Sequence, residues 1–282
     1  MDNPAFNRQL KVTAIHDISC LGRCSLTVAL PILSALGIET NVIPTAVLSS
    51  HTGEFTGYTF HDLTEDILPI AEHWKSLGRR YDAIYTGYFG NIRQLEIVEK
   101  VFDLLADKNT LKLIDPVMAD NGKLYNNFNA SYVNEMKKFC RRADIILPNI
   151  TEACFLTDSE YAKGPYSEKY IHELLNKLRH LGTDYTVLTG AHTREGYGAA
   201  WMDNQSGKWN IVLSSYIEGF FYGAGDTLAS VLLGKYLKCS SIETAVKSAV
   251  DFTHKAIINT KRNSQDFRYG LLFEELLGEL IQ

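Results

Sequence analysis

Positive charge is not in excess in this chain of 282 residues, where 28 Lys and Arg stand against 33 Asp and Glu for a net charge of -5. A protein that binds a phosphate backbone needs a basic surface, so nucleic acid is excluded as a default partner. Cysteines are few. The five present are odd in number and irregularly spaced, which fits a reducing compartment better than a secreted disulfide framework. Long apolar runs are missing too: residues 26–38 are interrupted by Pro31 and Ser34 and are too short to span a bilayer. The opening MDNPAFNRQLK lacks the apolar run of a signal peptide. No internal repeat, low-complexity tract or linker divides the sequence. The expectation is a soluble cytoplasmic protein that binds no membrane, with residues 1–282 as one domain and residues 1–10 as a flexible tail. At 45% hydrophobic and 22% charged, the composition suits one large α/β core.

Short apolar, β-branched runs recur at KVTAIH (11–16), NVIP (41–44), DAIYTG (82–87), LKLID (111–115), DIILPN (144–149) and YTVLTG (185–190). Each reads as a buried strand. Amphipathic segments of helical length lie between them, at Ser25 to Leu36, Asp62 to Leu77, Ile92 to Leu105, Ser131 to Cys140 and Ser167 to Leu181. This alternation predicts an α/β fold, a mostly parallel central sheet flanked by helices on both faces. The runs GYGAAWM and KWNIVLS, joined by a polar turn at residues 203–207, predict an antiparallel edge hairpin. Helices are expected again near Asp226 to Leu237, Ile242 to Thr260 and Leu271 to Ile281.

Ligands of such sheets bind beyond the carboxyl ends of the strands. The residues expected there are Asp17, Ser19 and Gly22; Gly87 and Tyr88; Asp115 and Asp120; Asn149 and Glu152; Thr189 and Gly190. Carboxylates, amides and glycines thus gather at one end.

The segment Gly223-Ala224-Gly225-Asp226 precedes an apolar helix, so bare N–H groups and a helix N-terminus could hold an anion. A carboxylate there is unfavourable for simple phosphate holding but useful for taking a proton from an alcohol that attacks a phosphoryl group. Asp226 as a plain helix N-cap is the competing reading. Asn149 and Glu152 read equally as a capping box or as the neighbourhood of a hydrated Mg²⁺. Asp115 and Asp120 border a loop containing Asn121-Gly122, a solvated turn by itself. His51, Thr52 and Gly53 lead into Phe55, Tyr58 and Phe60, suited to a flat heteroaromatic ring. Cys20 and Cys24 lack a usual zinc-motif spacing, and Gly196-Tyr197-Gly198 lacks the third glycine of a dinucleotide fingerprint.

In their order along the chain these segments resemble the pyridoxal/pyridoxamine kinases of the ribokinase-like superfamily, and most closely the bacterial pyridoxamine kinases. The matching residues are His16 to Leu26, Ser50-His51-Thr52-Gly53, Thr86-Gly87-Tyr88, Asp115-Pro116-Val117, Pro148-Asn149-x-x-Glu152, Leu188-Thr189-Gly190 and Gly223-Ala224-Gly225-Asp226. The resemblance implies transfer of the γ-phosphate of ATP to the 5′-hydroxymethyl group of a vitamin B6 compound. It makes Asp226 the catalytic base and Gly223, Ala224 and Gly225 the anion hole. It puts Asp17, Ser19, His51, Thr52 and Tyr88 at the B6 ring. Asp115, Asp120, Asn149, Glu152, Thr189 and Gly190 fall on the ATP side, with Glu152 and Asp115 near Mg²⁺. It further implies a monovalent cation such as K⁺, a homodimer, an adenine wall from about Val246 to Thr260, and a lid at Ala119 to Asn127.

Three positions depart from the family pattern. Asp17 stands where pyridoxal kinases commonly have Ser, Ala224 where Thr is common, and Leu147 where Thr or Ser often precedes Pro-Asn. A hydroxymethylpyrimidine kinase of the same superfamily is the nearest rival, but those enzymes often carry Cys at the position of Asp226. A non-catalytic binder of pyridoxal phosphate or nucleotide would not need a base in the anion hole.

Overall fold

The computed structural model describes residues 8–281. Its nine-stranded sheet has the order β11-β10-β9-β8-β5-β4-β1-β2-β3. In chain order the strands and helices are β1 (Lys11–Ser19), α1 (Leu26–Ala35), β2 (Glu39–Leu48), β3 (Phe60–Asp62), α2 (Thr64–Ser76), β4 (Ala83–Thr86), α3 (Ile92–Leu105) and β5 (Leu111–Ile114). A small separate hairpin, β6 (Ala119–Asp120) and β7 (Lys123–Leu124), precedes α4 (Ala130–Cys140), β8 (Ile145–Ile146), α5 (Ile150–Leu156) and α6 (Glu168–Leu178). The chain then runs through β9 (Tyr185–His192), β10 (Tyr197–Asp203), β11 (Trp209–Ser214), α7 (Ala224–Cys239) and α8 (Ile242–Asn263).

Strands β2, β1, β4, β5, β8 and β9 are mutually parallel, while β3, β10 and β11 pair antiparallel at the two edges. The expected mostly parallel sheet and edge hairpin are therefore present. Helices cover both faces. Side chains of α2 to α6 close one core with Ile15, Ile84 and Ile114, and α1, α7 and α8 close the other with Val12, Tyr85 and Leu113. The alternation along β1 and β4 sends neighbouring side chains to opposite cores. From β1 the chain passes to β2 on one side and later returns to β4 on the other. The crevice beyond β1 and β4 is thus the switch point where such sheets bind ligands.

Several boundaries differ from expectation. β2 continues past Pro44 to Leu48, because a register shift opposite His16 to Ile18 accommodates a residue that has no N–H to donate. Instead of a helix over residues 271–281, an irregular turn, in which the Phe273 N–H donates to the Leu271 carbonyl at 3.1 Å, leads into a 3₁₀ segment at Glu274–Leu280. Leu271 and Phe273 are both buried, and the turn between them brings both side chains into the α1/α7/α8 core. The expected N-terminal tail falls partly outside the described residues. Residues 8–10 are anchored: Arg8 reaches Asp82 Oδ1 at 2.7 Å, and Leu10 packs on the α1/α7/α8 core. No helix among the described residues is long and apolar enough to cross a membrane.

Candidate active site

The loop after β1, the loop after β2 and the start of α7 converge beyond the crevice. Gly223 takes φ +72° immediately before α7, and a Cβ there would overlap the carbonyl oxygen of Arg23. Only glycine permits both the left-handed turn and that approach. Gly225 is exposed, and nothing lies near the place its Cβ would take. The first N–H groups of α7, which have no acceptor within the helix, therefore open onto bare space.

Asp226 sits in the first turn of α7, and its Oδ2 accepts the N–H of Ser25 at 2.9 Å. It does not act as the N-cap: that position belongs to Gly223, which has no side chain to bond. Burial pushes the Asp226 carboxyl up, against the Ser25 N–H, the Cys24 side chain and the nearby His51, which pull it down. An elevated carboxyl close to an open helix N-terminus is a proton acceptor beside an anion cradle.

Asp17 is 4% exposed and receives two hydroxyl groups, Ser25 Oγ on Oδ1 at 2.5 Å and Ser19 Oγ on Oδ2 at 2.9 Å. Burial raises its carboxyl to about 6, while the two hydroxyls pull it down. Ser25 thus touches both carboxylates. No local pattern gives it that role in the sequence, although its φ of +54° is strained for a side chain other than glycine by about 1–3 kcal/mol.

His51 has both ring nitrogens engaged: Nδ1 accepts the Gly53 N–H at 3.1 Å, so Nε2–H donates to the Arg268 carbonyl at 2.6 Å. Its ring stacks on Tyr222 with centroids 4.6 Å apart. His51 therefore braces the loop and offers a ligand only its ring. Thr52 is exposed at the loop surface. Tyr88 is half-buried, 5.8 Å between centroids from Phe128, and burial raises its hydroxyl. Tyr222 and Arg268 are contributors that sequence motifs did not reveal, since they matter only through contacts distant in the chain.

On the other side of the crevice, Asn149 and Glu152 form a full capping box for α5. Glu152 Oε2 accepts the Asn149 N–H at 2.8 Å, and Oε1 reaches across to the Met118 N–H at 3.0 Å. Asn149 Nδ2 donates to the Ala119 carbonyl at 2.8 Å. The capping reading holds, and the cap also ties α5 to the loop after β5. Burial drives Glu152 up to about 8 despite those backbone donors, and burial with the Glu152 and Asp226 charges drives Asp115 up strongly. Asp120, on β6, is raised by burial and accepts the Asn121 N–H at 2.7 Å. Among the described residues no three His, Cys, Asp or Glu side chains are arranged to enclose a metal directly.

The segment expected as a lid is a hairpin. Asn121 and Gly122, both at positive φ, make its two-residue turn, and the Gly122 N–H is held by Thr151 Oγ1 at 3.0 Å. Thr189 and Gly190 lie on β9, with Thr189 bridged to Asn149 and Gly190 at φ +73° where the pairing with β10 shifts register. That bulge interrupts the β9/β10 ladder beside Asn149, and pairing resumes at Ala191 and His192.

The family model for phosphomethylpyrimidine kinase matches residues 33–268. A Schizosaccharomyces pombe protein provisionally named a pyridoxal kinase is 31% identical over 218 residues, covering 70% of this chain; the chain spans only 59% of that relative's length. Among solved structures, a Bacteroides thetaiotaomicron protein provisionally named a phosphomethylpyrimidine kinase superimposes with TM-score 0.93 at 35% identity, covering 99% of this chain and 96% of its own. A second crystal form of it, with pyridoxal, gives TM-score 0.91 at 36% identity over 98% and 96% of the two chains. Pyridoxal kinase from Lactobacillus plantarum gives TM-score 0.88 at 28% identity over 97% of each chain. The ordered motifs, the crevice they line and these matches agree: the chain belongs to the phosphomethylpyrimidine kinase family and has the ribokinase-like fold of the pyridoxal kinases.

Proposed function

We propose that this chain is an ATP-dependent vitamin B6 kinase that phosphorylates the 5′-hydroxymethyl group of pyridoxal, pyridoxamine or pyridoxine. The observation that carries the reading is the Asp226 carboxylate, held by the Ser25 N–H at 2.9 Å in the first turn of a helix whose N-terminus is opened by Gly223 and Gly225. An acceptor alcohol seated between Asp226 and the γ-phosphate gives its proton to Asp226 as its oxygen attacks phosphorus. The bond between the γ-phosphorus and the bridging oxygen breaks, ADP leaves with that oxygen, and the N–H groups of Gly223, Ala224 and Gly225 receive the charge of the migrating group. Asp17, Ser19, Thr52 and Tyr88 border the ring, with His51 bracing their loop. Asp115, Asp120, Asn149, Glu152, Thr189 and Gly190 border the nucleotide.

The donor set fits Mg²⁺. The Glu152 charge raises the proton affinity of Asp115, the Asp120 charge raises that of Glu152, and no cation figures among the causes of either shift, so a hard divalent ion would relieve the repulsion. Glu152, whose two oxygens already serve backbone N–H groups, would hold such an ion through water, with Asp115 nearer the phosphates. Bound there, the ion would neutralise phosphate charge. A monovalent cation such as K⁺, a homodimer, a single domain and a cytoplasmic setting complete the reading.

The family description names phosphomethylpyrimidine kinase. Turnover should therefore be measured with Mg²⁺-ATP and each of the three B6 compounds beside hydroxymethylpyrimidine. A higher kcat/KM for a B6 compound is expected, and preference for the pyrimidine would overturn the assignment.

A further inference from the structure

Ser25 precedes α1 but does not cap it: no side-chain bond runs to the helix N-terminus. Its backbone lies at φ +54° and ψ -124°, where glycine rests without strain. Glycine there could donate the same N–H to Asp226. What serine adds is the hydroxyl, spent on Asp17 Oδ1 at 2.5 Å. Asp17 Oδ2 is fixed by Ser19 at 2.9 Å, so both oxygens of this buried carboxylate are aimed by hydroxyl donors. One strained residue therefore fixes two carboxylates on separate elements, Asp17 on β1 and Asp226 on α7.

We propose that Ser25 is a positioning residue that joins the ring-facing carboxylate Asp17 to the proton-accepting carboxylate Asp226 in one bracket, so that seating of the acceptor ring and alignment of the base are coupled. The roles of the two carboxylates rest on the kinase reading; the bracket does not. Asp17 carries two hydroxyl donors and is held as an acceptor, so it takes a ring N–H, an ammonium or a hydroxyl of the ligand. Charge on Asp226 acts on Asp17, and Cys24 and Tyr88 are the other titratable groups in its field.

The test uses the full chain with Ser25→Ala, which keeps the strain and removes the hydroxyl, and Ser25→Gly, which removes both. In Ser25→Ala, KM for the B6 compound should rise about tenfold, the loss of a hydrogen bond to a charged group, while KM for ATP stays unchanged. Ser25→Gly should lower kcat as well, because the backbone that aims Asp226 becomes free. In ligand-free protein carrying ¹³C-labelled aspartate carboxyls, Ser25→Ala should move the Asp17 titration upward, since its ionised form loses a donor. An unmoved Asp17 titration overturns the bracket, whatever the substrate. Unchanged B6 kinetics in both variants, or equal changes in both substrates' KM with a lowered Tm, overturn the coupling in an enzyme that turns over B6. If wild-type protein phosphorylates none of the B6 compounds, the kinase reading fails, and the carboxyl titration alone decides whether Ser25 holds Asp17.

Discussion

Replacing Asp226 by asparagine separates proton acceptance from everything else that the residue does. The carbonyl oxygen of the new amide can still accept the Ser25 N–H that Asp226 Oδ2 accepts at 2.9 Å, so the turn before α7 should hold its shape. An amide oxygen cannot take the alcohol's proton. General-base contributions run from about 10²- to 10⁴-fold, so kcat should fall by that factor, equivalent to about 2.7–5.4 kcal/mol on the barrier. Stability should move the other way. Burial disfavours the ionised Asp226, and its charge also raises Asp17 and Asp115, so a neutral amide should stabilise the fold by about 1 kcal/mol. KM for ATP should not rise, since a negative charge facing the phosphates has gone. ADP release with pyridoxal, nucleotide titration calorimetry and urea unfolding measure the three quantities. Turnover within tenfold of wild type, in a variant that stays folded, would refute Asp226 as the base.

Three further outcomes follow from the same geometry. Gly223→Ala should lower stability by about 1–3 kcal/mol in urea unfolding and cut turnover at least tenfold, because the left-handed φ is strained and the new Cβ meets the Arg23 carbonyl. Glu152→Gln should leave one of the Asn149 and Met118 N–H groups without an acceptor and raise the Mg²⁺ concentration for half-maximal turnover about tenfold, read from a metal titration. His16 is fully buried with both ring nitrogens lacking hydrogen-bond partners, and burial lowers its pKa to about 3. Between pH 6.5 and 3 the unfolded chain takes up a proton there that the native protein refuses. Stability is therefore lost as pH falls, by about 2 kcal/mol from pH 6.5 to 5, and not above 6.5. His16→Gln should remove that component from urea midpoints measured at pH 7 and 5.

Periodic burial makes much of the architecture legible. Residues 92–105 read as a helix and are one, since α3 buries Leu95, Val98, Val101, Phe102 and Leu105 on one face and Asn91 caps it. The hairpin of β10 and β11 also announces itself by two strand-like runs about a polar turn. Strand β3 does not, because three exposed residues carry no hydrophobic alternation. The residues 271–281 mislead because their leucines suit a helix in composition, whereas Gly270 at positive φ and the burial of both Leu271 and Phe273 set an irregular turn at the entry. Within the site, Gly223 to Asp226 and Asn149 to Glu152 can be found because each is a compact local pattern. Ser25, Tyr222 and Arg268 cannot, since their roles come from partners across the fold.

The segment 266–270 bears on how the protein is made. Tyr269 receives the Arg23 N–H at 3.0 Å, Arg268 receives the His51 ring, and a side chain at Gly270 would overlap the Arg23 carbonyl. Arg23 and Tyr269 lie 246 positions apart, so a ribosome delivers the clasp long after both loops that it fastens. Nascent chains can pair their strands early, yet they must wait for the segment 266–270 to be synthesised before those two loops are locked.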